Sequence, residues 1–350
     1  MIIHYRKDLT DFSTFGLKAC SRYLVEFDDD KDLLEVSDFV QTTNLPALSI
    51  GGGSNIIFCA DYPGVVIKNT ARDIERLSYT SVRVSAGCAL DDFIAWCITN
   101  NYFGIESLSG IPGTIGGAVA LNAGAYGSTI KDYLSQVRVY DIRTRKLAVF
   151  TTEELHYWHR SSVFREKRGN DWLILDATFK LRRKLIIPYH TKTHALSEKV
   201  KKSAVEFRNS VIDLRSHMPN PYVHRNSGSF FLNPTLTNKR ADKLKFLFPD
   251  VASRPYTPTH AQVSAGWLLD NAGLRGQKYE GLYFHQDHAN IVINEKAQTG
   301  RDLASFIRYV QQVIYSKFGI HIQVEPLLIC EEFWQGALLK PTIKDTVRAG

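Results

Sequence analysis

No apolar run in this 350-residue chain approaches the ~18 residues of a membrane-spanning helix, so membrane insertion is not expected. The opening residues, Met1-Ile2-Ile3-His4-Tyr5-Arg6-Lys7-Asp8, lack the basic-then-apolar build of a secretory leader. A cytoplasmic protein is the expectation. The five cysteines, Cys20, Cys59, Cys88, Cys97 and Cys330, are odd in number and include no C-x-x-C pair. That argues against a structural zinc site or a disulfide framework, and for free thiols in a reducing compartment. No repeat, low-complexity stretch or obvious linker interrupts the chain. Neither a G-x-G-x-x-G opening a helix nor a G-x-x-x-x-G-K-[ST] occurs, so Rossmann and P-loop binding are unsupported.

What is present fits an ordinary globular protein, with 44% hydrophobic and 23% charged residues. At roughly 150 residues per domain, the length suggests two or three domains. The formal net charge of +7 suits nucleic acid, anionic membranes or phosphorylated small molecules, and does not choose among them. The basic residues form no long block, and no nucleic-acid-binding motif is present, so nucleic acid is not expected as a partner.

The first half alternates short β-rich runs with glycine turns: 47–50, 56–58, 65–67, 82–84, 136–140 and 172–181 read as strands. A helix is expected from Leu90 to Asn100. In the second half, apolar spacing predicts helices over 195–209, 261–271 and 301–318, the last capped by Thr299 and Gly319. Residues 290–293 and 321–329 read as strands beside it. The pattern is α+β, unlike the regular strand–helix alternation of a doubly wound sheet.

Two glycine segments invite a ligand. Gly51-Gly52-Gly53-Ser54-Asn55 lies between strands, where consecutive glycines permit positive φ and close approach of an anion to backbone N–H groups. A glycine-rich hairpin is the plainer reading of that run. The second, Ser109 to Gly127, holds six glycines, yet Ile111, Ile115, Val119 and Leu121 make it oddly apolar for a surface loop. A cofactor with a flat ring and a pyrophosphate accounts for both properties. His285, Asp287 and His288 are spaced closely enough for a metal, but no second ligand pair supports one, and none is expected.

Taken together, the two glycine segments resemble the FAD-binding domain of the vanillyl-alcohol-oxidase (PCMH) type. Further motifs narrow the likeness. Ser13-Thr14-Phe15-Gly16, Arg160-Ser161-Ser162-Val163-Phe164, Gly228-Ser229-Phe230-Phe231-Leu232-Asn233-Pro234 and Glu325-Pro326 follow in the order found in UDP-N-acetylenolpyruvoylglucosamine reductases. The resemblance runs from about Phe12 to Ile329. It implies two FAD-binding subdomains, 1–70 and 71–184, a tyrosine loop with a connecting helix, 185–209, and a C-terminal α+β substrate domain, 210–335. It also implies non-covalent FAD, with NADPH as hydride donor and UDP-N-acetylenolpyruvoylglucosamine as the small-molecule partner.

Site residues follow from the same likeness. Arg160, Ser229 and Glu325 match the catalytic set. Gly51, Gly52, Gly53, Ser54, Asn55, Ile56, Ser109, Gly110, Ile111, Pro112, Gly113, Gly116, Gly117, Asn122, Gly124, Ala125 and Tyr126 match the FAD-binding segments. Tyr189, Asn233, Arg275 and His288 are the substrate candidates, Tyr189 marking the longer subtype whose tyrosine loop covers the substrate. The sequence departs from the family at His217 and Leu232, where lysines are usual. The implied chemistry delivers hydride to a vinyl ether and charge to its carboxylate as an enolate, which needs a cation and one proton. Arg160 fits the cation, Ser229 the proton donor, and Glu325 a group that steadies either. Other readings of the same residues are a flavin oxidase of this fold and a non-catalytic flavin-binding paralogue.

Neither glycine segment contains histidine, the usual tether of covalently bound flavin in this fold class. Denaturing the purified protein should therefore release free FAD into the supernatant. Flavin remaining with the precipitated chain would overturn this.

Overall fold

The computed structural model describes residues 1–158, 160–165, 171–186 and 203–330. The chain forms two compact units, each assembled from separate stretches. The first comprises Met1–Lys7, Ser21–Gly53 and Tyr62–His217; the second comprises Asp8–Cys20, Ser54–Asp61 and Met218 onward.

The first unit contains two larger sheets. One has four strands in the order Ile2–Asp8, Cys20–Phe27, Tyr62–Asn69, Ala47–Ile50, and the last three run parallel. Val25, Val65 and Ile67 of this sheet are fully buried under Leu33, Val36 and Val40 of the Leu33–Thr43 helix. The other sheet is antiparallel throughout, in the order Lys146–Thr151, Leu134–Asp141, Trp172–Lys180, Ser81–Ser85, Ile74–Arg76. Its central strand is buried on both faces: Leu173 and Leu175 pack with the Leu33–Thr43 helix, and Ala177 and Phe179 pack with the Leu90–Thr99 helix across a register shift. The Leu90–Thr99 helix packs Leu90, Phe93, Ile94 and Cys97 on that sheet.

The second unit is built around the Gly300–Phe318 helix. Leu303, Phe306, Ile307, Val310 and Ile314 are all buried along one face. Each such side chain contributes about 1.5–3 kcal/mol as an upper bound. Thr299 and Asp302 form a capping box at its start, and Gly319 closes it with φ 64°. Around it lie two three-stranded antiparallel sheets and a parallel pair, Ile56–Phe58 with Leu327–Ile329.

Most sequence-derived elements appear within a residue or two. Three do not. The helix expected over 261–271 begins only at Ala265, because His260–Val263 pairs with Thr235–Thr237 and Ser253–Thr257, and Ser264 caps the helix. The helix expected over 195–209 runs instead from Ala204 to Ser216, capped by Ser203; residues 195–202 lie outside the described residues. Of 321–329, only Leu327–Ile329 is a strand, while Phe231 bridges Val324 singly.

The start of the central helix is tightly placed. The Gly300 N–H donates to the Cys59 carbonyl at 3.1 Å, and a Cβ on Gly300 would lie 2.1 Å from that oxygen. No side-chain movement relieves a backbone clash. Gly300→Ala should lower stability by about 1–3 kcal/mol, the range for overpacked cores, read as a lower urea midpoint with an unchanged slope.

Candidate active site

In the first unit the two glycine segments lie against each other. A Cβ on Gly52 would sit 2.8 Å from the Gly113 Cα, and one on Gly51 would sit 2.7 Å from the Thr114 Oγ1 and 3.1 Å from the Gly117 nitrogen. Only glycine permits this approach of main chain to main chain. Among the described residues, the N–H groups of Gly52, Gly53 and Gly113 meet no protein acceptor. Such amides suit a pyrophosphate, so these residues fit a dinucleotide cofactor. Ser54, Asn55 and Ile56, the rest of the first segment, belong to the second unit.

The second segment is only partly a loop. Ile115–Leu121 is a short helix with Thr114 as its N-cap, and Ile115, Ala118 and Val119 are buried. That explains the apolar residues seen in the sequence. Ser109 is fully buried, its hydroxyl donating to the Glu106 carbonyl at 2.7 Å. Gly110 is held by the Asp91 carboxylate, which accepts its N–H at 2.7 Å and pairs with both terminal nitrogens of Arg208. Burial disfavours the Asp91 charge, yet Arg208 and the Gly110 amide hold its pKa below the usual value. Ile111 and Ala125 pack against the core, and Gly116 donates to the Ala86 carbonyl. Pro112 lies in the bend between Gly110 and Gly113.

The end of the Ile115–Leu121 helix places Arg160. A helix leaves its last carbonyls without partners. Here the Tyr157 hydroxyl donates to the Val119 carbonyl at 2.9 Å and the Ser162 hydroxyl to the Ala120 carbonyl at 2.7 Å. Asn122, the left-handed C-cap, donates to the Trp158 carbonyl at 3.4 Å. Burial pushes the Tyr157 phenol pKa well up, so it stays protonated as a donor. Arg160 sits between these anchors with φ 56°, a conformation costing of order 1–3 kcal/mol in a non-glycine residue. Its Nη2 donates to the Gly124 carbonyl at 3.1 Å. Gly124–Ala125 pairs with Ser128–Thr129 across the two-residue loop Tyr126-Gly127, both at positive φ, as such tight hairpins require.

One neighbour escaped sequence reasoning. Arg215, at the end of the Ala204–Ser216 helix, lies 5.4 Å over the Tyr126 ring, with its Nε buried and without a hydrogen-bond partner among the described residues. Burial pulls its pKa down, and the nearby Arg160 charge adds to that. Two guanidinium groups within electrostatic reach favour an anion beside them. Arg215 stands two residues before the departure at His217, and no local spacing marks it.

In the second unit, the chain around Ser229 runs between two others. On one side Ser229 bridges Ile291, and the Phe230 N–H donates to the Asn290 carbonyl at 2.7 Å. On the other, the Glu325 N–H donates to the Phe230 carbonyl at 2.9 Å and Leu232 to Gln323 at 2.8 Å. Ser229 and Glu325 therefore lie on neighbouring segments. Asn290, also missed in the sequence, accepts from the Phe231 N–H at 2.9 Å and donates to its carbonyl at 2.8 Å. Gly228, at φ 74°, donates to the Asn226 side chain and leaves Ser229 exposed. The Asn55 side chain reaches the Glu325 carbonyl at 3.5 Å.

The substrate candidates are less uniform. Asn233 Oδ1 accepts the Ala265 N–H at 2.8 Å, which leaves only its NH2 for a ligand. His288 stands 5.7 Å from His285, ring to ring, in the turn that ends at Ile291. Arg275 is exposed and paired with Asp270. Tyr189 lies outside the described residues. Among the described residues no three His, Cys, Asp or Glu are grouped to hold a metal.

Two family models match the chain: an FAD binding domain over residues 21–145, and the C-terminal domain of UDP-N-acetylenolpyruvoylglucosamine reductase over 220–329. A UDP-N-acetylenolpyruvoylglucosamine reductase of Bdellovibrio bacteriovorus is 32% identical over 93% of this chain and 99% of its own length. The enzyme of that name from Pasteurella multocida is 30% identical over 93% of this chain and 97% of its own. The crystal structure of the Thermus caldophilus reductase has the same fold, with a TM-score of 0.68 at 22% identity, covering 94% of this chain and all of that one.

The Gly52 contact gives a direct test. Gly52→Ala should force the two glycine segments apart and weaken flavin retention about tenfold or more, the equivalent of ~1.4 kcal/mol. Flavin per chain after gel filtration measures it, with far-UV circular dichroism unchanged.

Proposed function

Because the chain belongs to the UDP-N-acetylenolpyruvoylglucosamine reductase family, we propose that it reduces UDP-N-acetylenolpyruvoylglucosamine to UDP-N-acetylmuramate with NADPH, a step of peptidoglycan precursor synthesis. When bound, FAD supplies the relay of hydride from NADPH to the enolpyruvyl carbon. The observation that carries the reading is the adjacency of Ser229 and Glu325 on hydrogen-bonded segments of a chain that also holds a pair of glycine segments fitted to a dinucleotide.

Arg160 is assigned to the substrate carboxylate. Its guanidinium is a permanent, planar cation able to grip a carboxylate through two hydrogen bonds. That contact strengthens as enolate charge develops, which is what lowers a barrier. The bond to Gly124 and the anchored segment around it fix the group before substrate arrives. Ser229 is assigned as proton donor. A serine hydroxyl is a weak acid, so it serves only against a strongly basic carbon, at the moment charge has built up there. Its exposure and the left-handed Gly228 before it leave the hydroxyl open to a ligand. Glu325 is assigned to steady the developing charge by donating, when protonated, to an enolate oxygen.

For the diphosphate we assign the Asn233 NH2, His288 and Arg275, together with Tyr189. Arg275 can exchange Asp270 for a phosphate at little cost, since exposed ion pairs are worth about 0–1 kcal/mol. Among the described residues no helix is long and apolar enough to cross a membrane. We place the reaction in the cytoplasm, where NADPH and nucleotide sugars are held.

Ser229→Ala separates the two halves of the reaction. NADPH should still bleach the bound flavin at a nearly unchanged rate, because that half needs no proton from Ser229. Return of the flavin colour on adding the enolpyruvyl substrate should slow by ~10²–10⁴-fold, the span of general acid catalysis. Anaerobic stopped-flow absorbance follows each half. Near-normal return of colour in the variant would remove Ser229 as the donor, and wild-type protein whose NADPH consumption ignores the substrate would remove the whole reading.

A further inference from the structure

Cys59 and Cys330 are separated by most of the chain and meet at one point of the second unit. The parallel pairing of Ile56–Phe58 with Leu327–Ile329 sets Phe58 opposite Ile329, so the next residues on each strand, Cys59 and Cys330, also lie opposite each other. Opposed residues of neighbouring strands point to the same side, with backbones ~4.7–4.9 Å apart. That falls inside the ~4.4–6.8 Å Cα separation a disulfide tolerates. The Cys59 N–H donates to the Ile329 carbonyl at 2.9 Å and its carbonyl accepts from Gly300 at 3.1 Å, which holds its backbone from both sides. The Cys59 thiol donates to the Ile57 carbonyl of its own strand at 3.8 Å. Both are half-buried, so neither is sealed from a small reagent.

We propose that Cys59 and Cys330 are a dithiol that closes to a disulfide on meeting a low-molecular-weight disulfide, stapling the strand after the Gly51–Asn55 segment to the strand after Glu325. The roles of the two sulfurs differ. The neighbouring sulfur and burial hold the proton on Cys59, and the Cys59 sulfur lowers the pKa of Cys330, so Cys330 ionises first. The Cys330 thiolate attacks one sulfur of the incoming disulfide and expels a thiolate, which takes up a proton. Cys59 then loses its proton and attacks the Cys330 Sγ, expelling the second thiol. One protein S–S bond forms, the S–S bond of the reagent breaks, and two thiols leave. The protein is oxidised by two electrons and the reagent is reduced by two.

Two of the other three cysteines are poor competitors. Cys88 and Cys97 are buried in the first unit, and burial raises both pKa values, that of Cys88 to about 11. A protonated, enclosed thiol is a slow nucleophile. The staple matters because the strands it joins are already tied at their other ends: Leu327 donates to the Asn55 carbonyl at 2.9 Å, and the Asn55 side chain reaches the Glu325 carbonyl. Oxidation would lock the register of Asn55 against Glu325.

The full-length flavoprotein, incubated with oxidised glutathione, freed of it by gel filtration and then denatured without reductant, provides the test. Thiols titrated in denaturant should fall from the five of the sequence by two, leaving three. Peptide mapping under non-reducing conditions should find Cys59 joined to Cys330. Cys59→Ser should instead accumulate glutathione on Cys330, and neither Cys59→Ser nor Cys330→Ser should form a disulfide within the protein. Five remaining thiols, loss mapped to Cys20, Cys88 or Cys97, or wild-type protein that stops at a glutathione adduct would each overturn the proposal. The wild-type mapping decides the matter even if a variant folds poorly. The outcome is independent of the reductase reading, because no step uses the substrate.

Discussion

Main chain packed on main chain is the constraint from which the first unit's site follows. Where Gly51 and Gly52 meet Gly113, Thr114 and Gly117, there is no room for a single Cβ. The contact does more than save space. It also sets the start of the Ile115–Leu121 helix, which Thr114 caps. The far end of that helix then offers the Val119 and Ala120 carbonyls, and the Tyr157–Ser162 segment is hung from them. Arg160 is thus positioned by a chain of backbone contacts beginning at the glycines. A guanidinium placed this way would need little reorganisation to meet an anion, the condition under which electrostatic stabilisation is strongest.

The second unit reaches the same end by a different route. Ser229 and Glu325 are far apart in sequence and are brought together by the Phe230 carbonyl, which accepts the Glu325 N–H. Asn290 closes the other side by imitating a strand with its side-chain amide, donating to and accepting from Phe231. Phe230 and Phe231 are fully buried against Phe15, Phe284 and Phe306, so the strand carrying Ser229 is fixed by packing as well as by hydrogen bonds. Moving Ser229 would require moving the core.

Elements with strong local signals were legible in the sequence. The Gly300–Phe318 helix carried its own apolar stripe, N-cap and C-cap, and strands such as Ala47–Ile50 stood between glycine turns. The failures have physical causes. The helix expected over 261–271 lost its first turn because His260–Val263 found strand partners on both sides, and pairing across a sheet outweighs a weak helical propensity. The Ser109–Gly127 segment looked like a loop because its glycines dominate the local signal, whereas tertiary burial of Ile115 and Val119 makes a helix of its middle. Arg215 and Asn290 were invisible for a related reason. Each acts only through residues distant in sequence, Tyr126 and Arg160 for one and Phe231 for the other, and no spacing rule encodes such a meeting.

The two departures from the family pattern fall where the backbone, not the side chain, holds the fold. Leu232 keeps its place through its N–H, which donates to the Gln323 carbonyl, and any residue but proline can make that bond. His217 closes the Ala204–Ser216 helix with its N–H on the Arg215 carbonyl, and its side chain is exposed. Exchanging a lysine at either position therefore leaves Ser229, Glu325 and Arg160 held as they are. Arg215, two residues before His217 and stacked over Tyr126, keeps a cation on the same helix end. A site assembled from backbone contacts can tolerate such exchanges because its catalytic groups do not lean on the side chains that differ.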